Sequence, residues 1–164
     1  MPELMVGDKA PAFTLPRDGG EIVSLEALKG KPVVLFFYPK DDTSGCTAEA
    51  VAFTALKPEF DKLGVALVGM SPNNVKSHDK FIAKHDLDIP LVADEEMSAL
   101  EAYGVWVEKS MYGRKYMGVV RTTYLIDEAG KVARRWDKVK VPGHAEEVLE
   151  AVKELRRGVP ASAR

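Results

Sequence analysis

Apolar residues fall along this chain in two alternating rhythms, short unbroken runs and helical stripes. The runs Val33 to Tyr38 and Val65 to Gly69 are rich in valine or aromatics and bounded by turn residues, which predicts two buried strands. Between them a helix is expected from roughly Thr47 through Asp61, with Val51, Ala52, Leu56 and Phe60 on one side; Pro58 lies inside it and should kink or split it. A second helix is read at Val75 to His85, with Val75, Phe81 and Ile82 toward the core. Leu91 to Ala93 reads as a short strand, and Met97, Leu100 and Tyr103 have the spacing of a short helix. Val119 to Asp127 and Lys131 to Trp136 flank Glu128-Ala129-Gly130 as an antiparallel hairpin. Ala145, Val148, Leu149, Val152 and Leu155 recur on one face of a closing helix, the clearest element of all. Upstream, Phe13 to Leu15 and Ile22 to Leu25 flank Arg17-Asp18-Gly19-Gly20, an N-terminal β-hairpin, with one helical turn at Leu25 to Leu28. This order predicts an α/β fold: a mixed central sheet with helices on both faces.

The length of 164 residues suits one domain, read as 1–157, with 158–164 as a flexible tail. A net charge of −2 gives no long-range field for nucleic acid or an anionic membrane, so neither is expected as a partner. The basic stretch Lys131 to Lys140, with Arg134 and Arg135, is interrupted by Asp137 and interleaved with Val132, Trp136, Val139 and Val141, as on the solvated face of a hairpin. No basic N-terminal segment leads into an apolar run with a cleavage site, and no run is long enough to span a bilayer. One cysteine cannot form an internal disulfide. A soluble, cytoplasmic protein is therefore expected.

That cysteine is Cys46, in the run Tyr38-Pro39-Lys40-Asp41-Asp42-Thr43-Ser44-Gly45-Cys46-Thr47-Ala48-Glu49 directly after the first buried strand. It opens a helix, where unpaired backbone N–H groups and the dipole favour a thiolate over the thiol. Asp41 and Asp42 oppose a thiolate unless they point to solvent, so a cation must offset them. Dithiol exchange of the Cys-x-x-Cys kind is excluded, because Thr43 occupies the first position and supplies a hydroxyl able to donate to a bound oxygen.

The form Pro39-x-x-x-Thr43-x-x-Cys46 resembles the active-site loop of the peroxiredoxins. Gly69-Met70-Ser71-Pro72 with Ser77-His78, the stretch Pro90-Leu91-Val92-Ala93-Asp94, and Arg121-Thr122-Thr123-Tyr124-Leu125-Ile126-Asp127 are similar to the bacterioferritin-comigratory, or PrxQ, subfamily, a resemblance running from about Gly7 to Val152. It implies a thioredoxin-like fold and a catalytic set of Cys46, Thr43, Arg121 and Pro39. Cys46 attacks a peroxide, Thr43 hydrogen-bonds it, Pro39 shields the pocket, and Arg121 activates thiolate and peroxide. Ser44 departs from a common proline but suits a helix cap. Val51 stands where many relatives carry a second, resolving cysteine, so a one-cysteine peroxidase is implied. Its sulfenic acid would be reduced by an external thiol such as thioredoxin or glutaredoxin with glutathione. No cofactor and no metal are expected, and the chain is read as a monomer or weak homodimer.

Other groups receive structural readings. His78 and His85 share a helix face but lie about 10 Å apart along it, too far to hold one ion, and are placed at the border of the apolar stripe. Glu49 sits in the first helical turn, favourable for the dipole, with a part in positioning the loop also open. Gly19-Gly20 belongs to a hairpin turn rather than a phosphate loop. His144 joins no metal pattern, and Trp106 and Trp136 are packing residues. Two other functions stay open at this level: a redox sensor using the same sulfenic acid, and a holdase or scaffold indifferent to the thiol.

Overall fold

The computed structural model describes residues 4–157, so the tail expected at 158–164 lies outside the described residues. Its centre is a five-stranded sheet built from β3 (Val33–Phe37), β4 (Ala66–Ser71), β5 (Leu91–Ala93), β8 (Thr122–Ile126) and β9 (Val132–Trp136), in the order β5-β4-β3-β8-β9. β3 pairs parallel to β4 and antiparallel to β8, so the sheet is mixed as expected. The N-terminal hairpin joins β1 (Thr14–Pro16) to β2 (Ile22–Ser24), and both Gly19 (φ 77°) and Gly20 (φ 90°) take the positive φ that a side chain would resist.

β3 is buried at every residue, and its period of two sends alternate side chains to opposite cores. Val34 and Phe36 meet Phe53 and Phe60 of α1 (Ser44–Lys62), Phe81 of α2 (Val75–His85) and Val148 of α4 (His144–Arg156). Val33, Leu35 and Phe37 meet Leu100 of α3 (Ser98–Ala102), Tyr103, Phe13 and Leu25. Burying each such side chain contributes about 1.5–3 kcal/mol, so these two layers hold the sheet. Gly69 on β4 makes room for one of them: a Cβ there would stand 2.7 Å from Phe36 Cζ.

Two expectations for α1 are corrected. The helix runs unbroken from Ser44 through Pro58 to Lys62, because Phe53 and Phe60 anchor both halves to the same core. Its buried stripe is Cys46, Glu49, Ala50, Phe53 and Phe60, which leaves Val51 44 % exposed and Ala52 and Leu56 at the margin. A buried glutamate inside the stripe disguised its phase. The sequence also concealed a hairpin, β6 (Trp106–Met111) with β7 (Arg114–Val119), turned at Tyr112 (φ 51°) and Gly113 (φ 77°). Most of its residues are exposed, so no alternation marks it. On β9 the basic side chains fold back on rings, Arg134 over Trp136 at 4.6 Å and Arg135 over Tyr124 at 5.4 Å, rather than standing free in solvent.

Candidate active site

The register of β3 against β8 builds the site. Phe37, the last residue of β3, lies opposite Thr122, the first of β8, so the chain leaving β3 passes beside Arg121. That segment continues through Tyr38 and the half-buried Pro39, turns at Asp42 (φ 61°), and becomes extended at Thr43, the N-cap of α1. Cys46 is the third helical residue and only 2 % exposed. The first intrahelical bond runs from Thr47 N–H to the Thr43 carbonyl, so the N–H groups before it are without helical acceptors and lie at the positive end of the dipole.

Arg121 brings its cation to this point. Its Nη2 donates to Cys46 Sγ at 3.3 Å, and its Nη1 donates to Glu49 Oε1 at 2.7 Å. Cys46 and Glu49 are three apart and share one helix face, so a single guanidinium spans both. Gly45 permits the approach, since a Cβ there would lie 3.1 Å from Arg121 Nη2. Glu49 is 1 % exposed and in the second helical turn, which corrects the first-turn dipole reading. Burial pushes its carboxyl up to about 7 against the pull of Arg121. When Glu49 is protonated, the Arg121 charge is left to the sulfur.

Thr43 uses its hydroxyl within the loop. Its hydroxyl donates to the Lys40 carbonyl at 2.9 Å, which ties the loop and leaves the oxygen's lone pairs as its remaining capacity. Pro39 belongs to the same loop by position. Both loop carboxylates have side-chain partners. Asp42 pairs with Lys84 and His85, both at 2.7 Å, and hydrogen bonds from these two hold its carboxyl below its ordinary range. Asp41 pairs with His78 at 2.7 Å. His78 is wholly buried rather than at a stripe border, and His85 faces the loop.

Sequence reasoning missed Lys109. It reaches back from β6 to donate to the Val119 carbonyl, two residues before Arg121. Burial, then the Arg121 charge, push its ammonium pKa down, while Cys46 acts the other way. Nothing in the chain order announces this, because the hairpin that carries Lys109 was itself concealed. His144 accepts or donates at 2.8 Å to the Thr123 hydroxyl, and burial pushes its imidazole pKa down to about 4. Among the described residues no three metal-ligating side chains cluster, and no helix is long and apolar enough to cross a membrane.

Comparison with known proteins agrees with this geometry. Residues 6–135 match the AhpC/TSA family. The chain is 51 % identical over 144 residues to a putative peroxiredoxin bcp of Coxiella burnetii, covering 88 % of this chain and 95 % of that one. It is 43 % identical to peroxiredoxin Bcp of Bacillus subtilis, with 92 % and 96 % covered. Among solved structures, the bacterioferritin comigratory protein of Xanthomonas campestris, described for alkyl peroxide reduction activity, superposes with a TM-score of 0.85 at 44 % identity, covering 88 % and 92 %. A PrxQ mutant from Xylella fastidiosa gives 0.89 at 36 %, covering 94 % and 99 %. At this identity and coverage, the chain belongs to the AhpC/TSA family, among its Bcp (PrxQ) peroxiredoxins, and holds a single cysteine.

Proposed function

We propose that this thiol-dependent peroxidase works through Cys46 alone. The observation that carries the reading is the Arg121 Nη2 contact with Sγ at 3.3 Å, made at a helix N-terminus. A cation and unpaired N–H groups there favour the thiolate, which is the nucleophile. Sγ attacks the terminal oxygen of hydrogen peroxide or an alkyl hydroperoxide, the O–O bond breaks, and the departing oxygen takes a proton and leaves as water or an alcohol. Cys46 becomes a sulfenic acid. Arg121 and the N–H groups of the first turn stabilise negative charge on the departing oxygen, each such donor worth about 10²–10³ in rate.

Thr43, whose proton is held by the Lys40 carbonyl, accepts the O–H of the incoming peroxide and so orients it. Pro39 has no N–H to offer and keeps bulk water from the sulfur. An external thiol then attacks the sulfenic acid, releasing water and forming a mixed disulfide, and a second thiol restores Cys46. A scaffold indifferent to its thiol gives no reason to bury Glu49 and hold the half-buried Arg121 against it. The reducing cytoplasm, supported by the lone cysteine, and a monomer or weak homodimer complete the reading.

The test is peroxide consumption by the pure protein with dithiothreitol, thioredoxin, or glutathione plus glutaredoxin supplied separately. Catalytic turnover with at least one donor, abolished in Cys46→Ser, is expected. Turnover that survives Cys46→Ser would overturn the reading.

A further inference from the structure

Asp41 and His78 form a buried pair that the peroxidase chemistry above does not use. Their side chains are 4 % and 0 % exposed. Tyr38 donates its hydroxyl to Asp41 Oδ1 at 2.6 Å, Ser77 donates its hydroxyl to Oδ2 at 2.7 Å, and His78 Nδ1 stands 2.7 Å from the same Oδ2. The other ring nitrogen, Nε2, lies 3.0 Å from the Val92 carbonyl. A carbonyl oxygen only accepts, so Nε2 carries a proton. Two bare lone pairs do not approach to such a distance in a buried site, so a second proton lies between Nδ1 and Oδ2. Tyr38 cannot supply it. Its hydroxyl is 3.4 Å from Nδ1 and already donates to Asp41. With two hydroxyl donors already on the carboxylate, this proton joins Asp41 and His78 into a pair without net charge.

The surroundings locate what this holds. Asp41 lies two residues after Pro39 and two before Thr43. Its backbone N–H donates to Asn73 Oδ1 at 2.8 Å, and the same oxygen accepts the Ser71 hydroxyl at 3.1 Å. Tyr38 directly follows β3, Ser71 ends β4 and Asn73 lies two residues beyond it, Ser77 and His78 come from α2, and the Val92 carbonyl from β5. On the outer side Asp42 pairs with Lys84 and His85, and Lys76 and Lys80 line the same hollow as Asp41.

We propose that Asp41 and His78 are a positioning pair for the cysteine loop. One buried proton shared between them fastens the loop to α2 and β5 and cancels the Asp41 charge beside the helix that bears Cys46. The pair touches no reacting atom and acts through Pro39, Thr43 and the start of α1. The functional part of the proposal rests on the peroxidase reading, but two of its readouts, thiolate absorbance and the His78 ring protons, do not need turnover.

Three variants and one spectrum test it. Asp41→Ala removes the acceptor and is expected to slow peroxide reduction roughly tenfold or more, the scale of a displaced catalytic geometry. Asp41→Asn rescues most of that loss, because its amide oxygen accepts from Tyr38 while its NH₂ donates to Ser77 and to neutral His78. A carboxylate and a proton leave together, so the Cys46 thiolate titration stays where it was. His78→Asn keeps a donor toward Asp41 but leaves its charge uncancelled, and the thiolate fraction at a fixed pH falls. In the parent protein labelled with ¹⁵N-histidine, His78, identified by its contact with Val92, is expected to carry protons on both nitrogens. A bare Nδ1, an unmoved thiolate fraction in His78→Asn, or full rate in Asp41→Ala would each overturn the proposal, and the spectrum decides it even if a variant fails to fold.

Discussion

Arg121 Nη2 lies 3.3 Å from Cys46 Sγ, a contact that joins residues 75 apart in sequence. It exists because β3 and β8 are neighbours: the loop that leaves β3 must pass the residue that enters β8, and the entering residue is Arg121. A local motif thus acquires its cation from sheet register rather than from sequence proximity.

Replacing Arg121 by methionine keeps the length and removes the charge. We expect a smaller thiolate fraction at any given pH and a peroxide rate lower by about 10²–10³. Thiolate absorbance against pH and stopped-flow peroxide consumption read the two effects. If neither moves, Arg121 is only an ion-pair partner of Glu49.

Glu49 gives the fold a pH dependence with a defined sign. Its folded value of about 7 lies above the ordinary 4.5, so between these values the folded chain binds more protons than the unfolded one. Its contribution to stability is fully present below about pH 4.5 and is lost as pH rises through about 7. Glu49→Gln keeps an acceptor for Arg121 and does not titrate. Its stability relative to the parent should therefore rise between about pH 5 and pH 8, by on the order of 2–3 kcal/mol. Urea unfolding of both proteins at the two pH values checks this, and a constant difference would contradict it.

Much of this fold is legible in the residues, for identifiable reasons. β3, β4, β8 and α4 follow from runs and stripes that are buried where the period says, whereas α2 buries His78 in place of Val75. The stripe of α1 is misread because Glu49 lies in it as a charged residue, and only the partnership with Arg121 explains its burial. The β6–β7 hairpin escapes because exposed strands carry no alternation, and Lys109 escapes with it. Cys46 and the place of Thr43 are readable from the motif, while Arg121 is legible only through the resemblance of the stretch it opens. The direction of the Thr43 hydrogen bond is legible in neither, since it depends on where the Lys40 carbonyl points.

Val51 is exposed on an intact helix five residues after Cys46. Ideal helix geometry puts their Cα atoms about 8–9 Å apart, beyond the roughly 4.4–6.8 Å of a disulfide. In Val51→Cys, one equivalent of peroxide should give an internal disulfide only through transient unwinding of the first turns of α1. Its rate, followed by mass spectrometry after acid quenching, should rise with low concentrations of urea. A fast, urea-independent disulfide, or a sulfenic acid that persists with both thiols unpaired, would contradict this.

The most direct test of the account is to add one equivalent of hydrogen peroxide to the pure protein without any reductant, in the presence of dimedone, and map the product by mass spectrometry. The account predicts a single dimedone adduct per chain, on Cys46, with no intramolecular disulfide. Peroxide consumption that leaves Cys46 unmodified, or that continues undiminished in Cys46→Ser, would contradict it.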